Sequence, residues 1–170
     1  MNQKNIFYYF WHIAVLLIMI VIFAFSAQSG AESSNTSSGL VAALLGKPDA
    51  QFAEFMQSGG ISPYASFELA LRKTAHFLEY AALGFCFAKA TYYHTDGVVD
   101  VISFSLFFCS MYALSDEVHQ LFAASRSCSL ADVLIDVSGI ISGVFTAVLF
   151  RFVKLLPKHK NKFNGGYENG

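Results

Sequence analysis

Two stretches of this chain carry ionisable side chains inside otherwise apolar sequence: Arg72-Lys73-Thr74-Ala75-His76-Phe77-Leu78-Glu79-Tyr80 and Ser115-Asp116-Glu117-Val118-His119-Gln120. A charge near the centre of a bilayer costs about 2.5–3.5 kcal/mol on insertion scales, so clustered charges in such segments mark a site that uses them. Histidines beside carboxyls are the usual acid–base set, which makes His76, Glu79, Asp116, His119 and Asp136 the candidates for proton transfer. Arg72 and Arg126 can grip a phosphate or carboxylate with two parallel hydrogen bonds. Lys73, Glu117, Gln120, Asp132 and Gln28 complete the candidate ligand-binding set. His76 with Glu79 and Asp116 with His119 also resemble the carboxylate–histidine pairs that bind metals inside four-helix bundles. If any cofactor is bound, a divalent metal held by His76, Glu79, Asp116 and His119 is the one these residues admit, although no His-Glu-x-x-His motif is present. Asp132-x-x-x-Asp136 is a lone pair at helical spacing and is a weak Mg²⁺ signal.

The elements that position these groups follow from composition. Of 170 residues, 55% are hydrophobic and 14% charged, with mean hydropathy +0.48, outside the range of ordinary soluble domains. Apolar runs near the roughly 20 residues needed to cross hydrocarbon occur at 7–27, 75–92, 98–122 and 130–153. The expected fold is therefore all-α, a polytopic membrane protein forming a four-helix transmembrane bundle in a single domain, 1–155. The first run is too long for a typical signal-peptide core and is expected to stay uncleaved.

Between the first two runs, the Ser- and Asn-rich tract 32–39 predicts a loop. Segments 40–45 and 52–56 predict short interfacial helices in that first extracytoplasmic connection. Cys86 and Cys109 sit in apolar runs as small hydrophobes, and with Cys128 they show no disulfide or metal spacing. The eighteen phenylalanines and the Tyr8, Tyr9, Trp11 and Tyr92, Tyr93 groups suit lipid-facing bulk and interfacial belts.

An even number of spans puts both termini on one side. Arg151, Lys154, Lys158, Lys160 and Lys162 then favour the cytoplasm for both. Residues 156–170 are expected to be a disordered basic tail that meets anionic lipid heads. The basic skew speaks to topology, and no nucleic-acid partner is implied.

Helical spacing sorts the polar residues into stripes. Arg72, His76, Glu79, Tyr80 and Leu83 share a face of the second span. Tyr112, Asp116, His119 and Gln120 share one on the third, and Asp132, Asp136, Gly139 and Gly143 one on the fourth. Glu79 falls about 10 Å below Arg72 at the helical rise, so the stripes can meet in one cavity in the outer half of the bilayer. Arg72, Lys73 and Arg126 stand there against Glu79, Asp116, Glu117, Asp132 and Asp136. Excess negative charge in a low-dielectric chamber calls for protons, charged histidines or a bound cation. Three uses stay open: acid–base chemistry on a bound molecule, proton-coupled transport or flipping, and ion pairs that only fasten the helices.

These blocks together are recognisable. Phe25-Ser26-x-Gln28, then Arg72-Lys73-x-Ala75-His76-Phe77-x-Glu79-Tyr80, then Ser115-Asp116-Glu117-x-His119-Gln120-x-Phe122, then Arg126 and Asp132-x-x-x-Asp136-x-x-Gly139 resemble the VanZ-like family across all four runs. Ala123-Ala124-Ser125-Arg126 departs from the Pro-Gly expected before that Arg. The resemblance implies a small integral protein of a bacterial cytoplasmic membrane, serving the cell envelope by binding or processing an envelope-associated molecule such as a lipid-linked precursor, whose founding relatives support resistance to the glycopeptide teicoplanin. It also implies that the charged residues named above occupy signature positions.

Overall fold

A computed structural model describes residues 3–28, 35, 36, 39, 61–120, 122 and 129–155. The described residues form four helices: α1 (Gln3–Ser26), α2 (Ile61–Thr91), α3 (Val98–Gln120) and α4 (Leu130–Leu155). Among the described residues every regular element is helical. α1, α3 and α4 are long and apolar enough to cross a membrane, whereas α2 is not apolar enough to read so by composition.

α2 corrects the sequence-based boundaries most. The hydropathy scan begins it at 75, but the helix starts at Ile61, with Pro63 in its first turn where a missing N–H costs nothing. The added segment holds Glu68, Arg72 and Lys73, so no apolar run announces it. α3 ends at Gln120, two residues before the expected 122. Asn35, Thr36 and Gly39, expected in loop, are helical. Ser, Thr and Asn favour helix starts as readily as turns, which is how a tract of them misleads. The expected interfacial helices at 40–45 and 52–56, the tail at 156–170, Cys128 and Arg126 lie outside the described residues.

α2 and α4 make the most extensive interface, and α3 packs on both. α1 lies mainly against α2, with a smaller contact to α3. The α2–α4 seam is close because glycine removes the obstruction. A Cβ on Gly84 would stand 2.6 Å from the Ile140 carbonyl oxygen, and one on Gly139 or Gly143 would collide with the Phe77 or Ala81 carbonyl. This is close backbone approach through small residues, as in helix pairs packed within membranes.

Each helix turns apolar side chains outward: Leu17 and Ile20 on α1, Phe107 on α3, Leu134 and Phe145 on α4 are all exposed, while Asp116, Glu117 and Asp136 are buried. A soluble protein sorts these types the other way round. A membrane removes the contradiction, because the outer residues then face hydrocarbon.

A short turn joins α2 to α3. Thr95 Oγ1 accepts from the Gly97 N–H at 3.1 Å and donates to Asp100 at 3.1 Å. The start of α1 and the end of α4 lie at this same end of the bundle, since Phe7, Trp11, Arg151 and Lys154 border one cavity there.

Candidate functional site

The opposite end gathers most of the polar stripes. Asp116, one helical turn before Gln120 on α3, is 3% exposed, and Asp136 on α4 is 1% exposed. Ser26 at the end of α1 donates to Asp116 Oδ2 at 2.7 Å, and Gln120 Nε2 donates to the same oxygen at 3.1 Å. Gln120 also approaches the Ser26 hydroxyl at 3.4 Å. One carboxylate oxygen is therefore held from two helices.

The other oxygen, Asp116 Oδ1, is buried without a hydrogen-bond partner among the described residues, and so are Asp136 Oδ1, Tyr80 OH and His119 Nε2. Buried polar atoms are nearly always bonded, so a cluster of exceptions marks a place for water, an ion or a ligand. Tyr80 is fully buried, its ring centroid 6.4 Å from that of Tyr112. Its hydroxyl feels the charges of Asp116 and Asp136 and approaches the Asp116 carboxylate closely enough to interact with it, outside strict hydrogen-bond geometry. Tyr112 itself is committed, donating to the Met19 carbonyl at 2.7 Å and so tying α3 to α1.

His76 faces Asp136, with Nδ1 3.7 Å from Oδ1, beyond a hydrogen bond yet within ion-pair range. Asp136 meets the like charges of Asp116, Glu117, Asp132 and Glu79, and Glu79 meets that of Asp116. Burying several carboxylates together is costly unless protons or cations compensate them.

The remaining predicted residues divide. Glu117 is 2% exposed and accepts from the Ser129 N–H at 2.7 Å. Ser129 also supplies the first carbonyl of α4, to the N–H groups of Asp132 and Val133, so this carboxylate sits at a helix N-terminus where negative charge is favoured. Lys73 pairs with Asp132 at 3.4 Å, half-exposed, at the rim. Arg72 makes no ion pair among the described residues. Gln28 lines a separate open cavity of about 490 Å³ with Ala24, Ala27, Asn35 and Thr36.

His119 turns toward α1 and stacks on Phe23, centroids 4.4 Å apart and planes at 20°. Among the described residues, no group of three or more His, Cys, Asp or Glu is arranged to hold a metal ion, so His76, Glu79, Asp116 and His119 are not gathered as one ligand set. Tyr80 was on a stripe by spacing and Ser26 stood in the Phe25-Ser26-x-Gln28 block, but neither received a role from the sequence. Their signal was position alone, a hydroxyl at the end of a span and a phenol one residue after Glu79.

Signature residues thus sit on three packed helices in the order Arg72 to Glu79, Asp116 to Gln120, and Asp132 to Asp136. The VanZ/LLP1 family model matches residues 11–151, most of the chain and all four helices. The chain belongs to the VanZ/LLP1 family. Neither a curated protein nor a solved structure matches it. Family membership and the outward apolar faces together make this VanZ/LLP1 chain a membrane protein. In it, the buried carboxylates gather at one end of the bundle.

Proposed function

We propose that this protein binds an envelope-associated molecule, by its headgroup or peptide, in an acidic chamber formed by α2, α3 and α4, and thereby influences sensitivity to teicoplanin-type glycopeptides. In this reading α2 is a fourth span, both termini face the bacterial cytoplasm, and the chamber opens toward the outer leaflet. The basic residues Arg151 and Lys154 at the far end of the bundle support that orientation. One observation carries the reading: Tyr80 OH, Asp116 Oδ1, His119 Nε2 and Asp136 Oδ1 are buried polar atoms from three helices with no partner among the described residues. A network built only to fasten helices would satisfy its own atoms.

Arg72 would take an anionic group of the ligand, and Arg126 would assist it from the connection between α3 and α4. The acidic cluster would take a cationic group or protons. If a reaction takes place, His76, Glu79, Asp116, His119 and Asp136 would move protons in it. The decisive experiment measures teicoplanin susceptibility in cells producing His76→Ala or Glu79→Gln at wild-type membrane levels. The expected result is the susceptibility of cells lacking the protein. Wild-type susceptibility from both variants rejects the proposal.

A second reading has its own support. The Ser26–Asp116–Gln120 bonds and the Glu117–Ser129 bond do join helices, which is what fastening alone would require. It predicts that function falls only as stability falls.

A further inference from the structure

At the end of the bundle remote from the acids, a cavity of about 570 Å³ is bordered by Phe7, Trp11, Tyr92, Lys89, Arg151 and Lys154. Lys89 closes α2, while Arg151 and Lys154 close α4, so two helix ends deliver three cations to one space. Lys89 feels the repulsion of both others. One acid relieves them directly: Arg151 donates to Asp96 at 2.8 Å, but that carboxylate is 95% exposed and spends much of its charge on water.

The aromatic walls hold the cations in place. The Arg151 guanidinium lies 4.3 Å from the Tyr92 ring centroid, and the Lys89 ammonium 5.4 Å from that of Phe85. The Tyr92 hydroxyl is buried with no hydrogen-bond partner among the described residues. Excess positive charge and an unbonded phenol describe a place for an oxyanion.

We propose that this cavity binds the phosphate of an anionic phospholipid headgroup. Phe7 on α1 borders it and Phe150 on α4 lies with its ring centroid 6.0 Å from the Lys89 ammonium, both exposed and offering an apolar surface along which acyl chains can run. Free phosphate would gain from the cations but nothing from that surface. The proposal stands apart from the acidic chamber and does not depend on what binds there.

Trp11 is the only tryptophan in the chain and borders the cavity, so its emission reports occupancy. The full chain in phosphate-free nonionic detergent is titrated with dihexanoyl phosphatidylglycerol, dihexanoyl phosphatidylcholine and inorganic phosphate. Native mass spectrometry counts the lipid retained. Phosphatidylglycerol is expected to change the emission saturably, with phosphatidylcholine at least ~10-fold weaker for want of net negative charge and inorganic phosphate at least ~10-fold weaker for want of acyl-chain burial. Lys154→Gln, at the exposed rim, is expected to weaken phosphatidylglycerol about fivefold with an unchanged melting temperature, and Lys154→Arg to restore it. Equal binding of phosphatidylcholine overturns the proposal, as does inorganic phosphate binding as tightly as the anionic lipid. Unaltered affinity in Lys154→Gln overturns it too, and this variant keeps the test open even where Lys89→Gln fails to fold.

Discussion

The two ends of this bundle bury charge in opposite ways. At one end, Asp116, Glu117 and Asp136 are enclosed by four helices, and several of their oxygens and neighbours lack partners among the described residues. At the other, Lys89, Arg151 and Lys154 border an open cavity, with aromatic rings against two of them and water within reach. Cations on long stems can snorkel toward the interface, so a basic end needs no enclosure. Aspartate has no such stem. Carboxylates held this deep stay only where the fold compels them, and the glycine seam between α2 and α4 supplies that compulsion by fixing where Asp136 stands relative to Tyr80 and His76.

The seam should therefore fail at both ends at once. Gly143→Leu places a side chain where a Cβ already collides with the Ala81 carbonyl, and backbone cannot give way as a flexible side chain can. We expect a loss of about 3 kcal/mol or more, read as loss of monodisperse protein in detergent and of both phospholipid binding and resistance. Gly39→Leu, where a Cβ meets nothing within 4 Å, is the matched control and should behave as wild type. A folded Gly143→Leu protein would remove the seam from this account.

Asp136→Asn separates binding from fastening at the acidic end alone. The change keeps shape and hydrogen-bonding capacity and relieves repulsion from Asp116, Glu117, Asp132 and Glu79. What it forfeits is the 3.7 Å approach of His76. Replacing a buried charge by a neutral group of similar volume is often neutral or stabilising. The expected outcome is a melting temperature equal to or above wild type with resistance lost. A drop in melting temperature matching the loss of resistance favours fastening.

How much of this was legible in the sequence depends on which residues had to meet. Tyr80, Asp116, Gln120 and Asp136 were readable because helical periodicity converts spacing directly into a shared face, and a bundle must point its polar faces inward. His119 shows the limit of that rule. Three residues past Asp116, it lies about 60° round the helix from it, enough to face Phe23 on α1 instead of the other carboxylates. The first part of α2 was invisible to hydropathy because Glu68, Arg72 and Lys73 interrupt it. The bond from the Ser129 N–H to Glu117 depends on a backbone group in a connection, which no side-chain pattern encodes. The basic cavity joins Lys89 to residues some sixty positions later, and by sequence those charges spoke only to topology.

Ser26→Ala tests whether α1 belongs to the acidic site. It leaves Asp116 Oδ2 with Gln120 as its donor and removes the bond between α1 and α3 at that point. Losing a donor to a buried charged group costs about 1.5–3 kcal/mol, seen as a lower melting temperature in detergent. Phospholipid binding at the far end should persist, because the Trp11 side of α1 does not touch Asp116. Loss of both would mean that the two ends act as one.

The smallest effect belongs to the rim. Lys73 and Asp132 lie 3.4 Å apart with side chains 39% and 46% exposed, so water and salt screen their attraction. An exposed pair of this kind contributes about 0–1 kcal/mol, and a double-mutant cycle over Lys73→Ala and Asp132→Ala should give a coupling in that range that shrinks further at high salt. The contrast with Asp136 is instructive because both aspartates sit on α4 one turn apart, and burial alone separates them. If resistance nonetheless falls sharply in Lys73→Ala at unchanged stability, then Lys73 contacts the ligand itself, and the mouth of the acidic chamber extends to the α2–α4 rim.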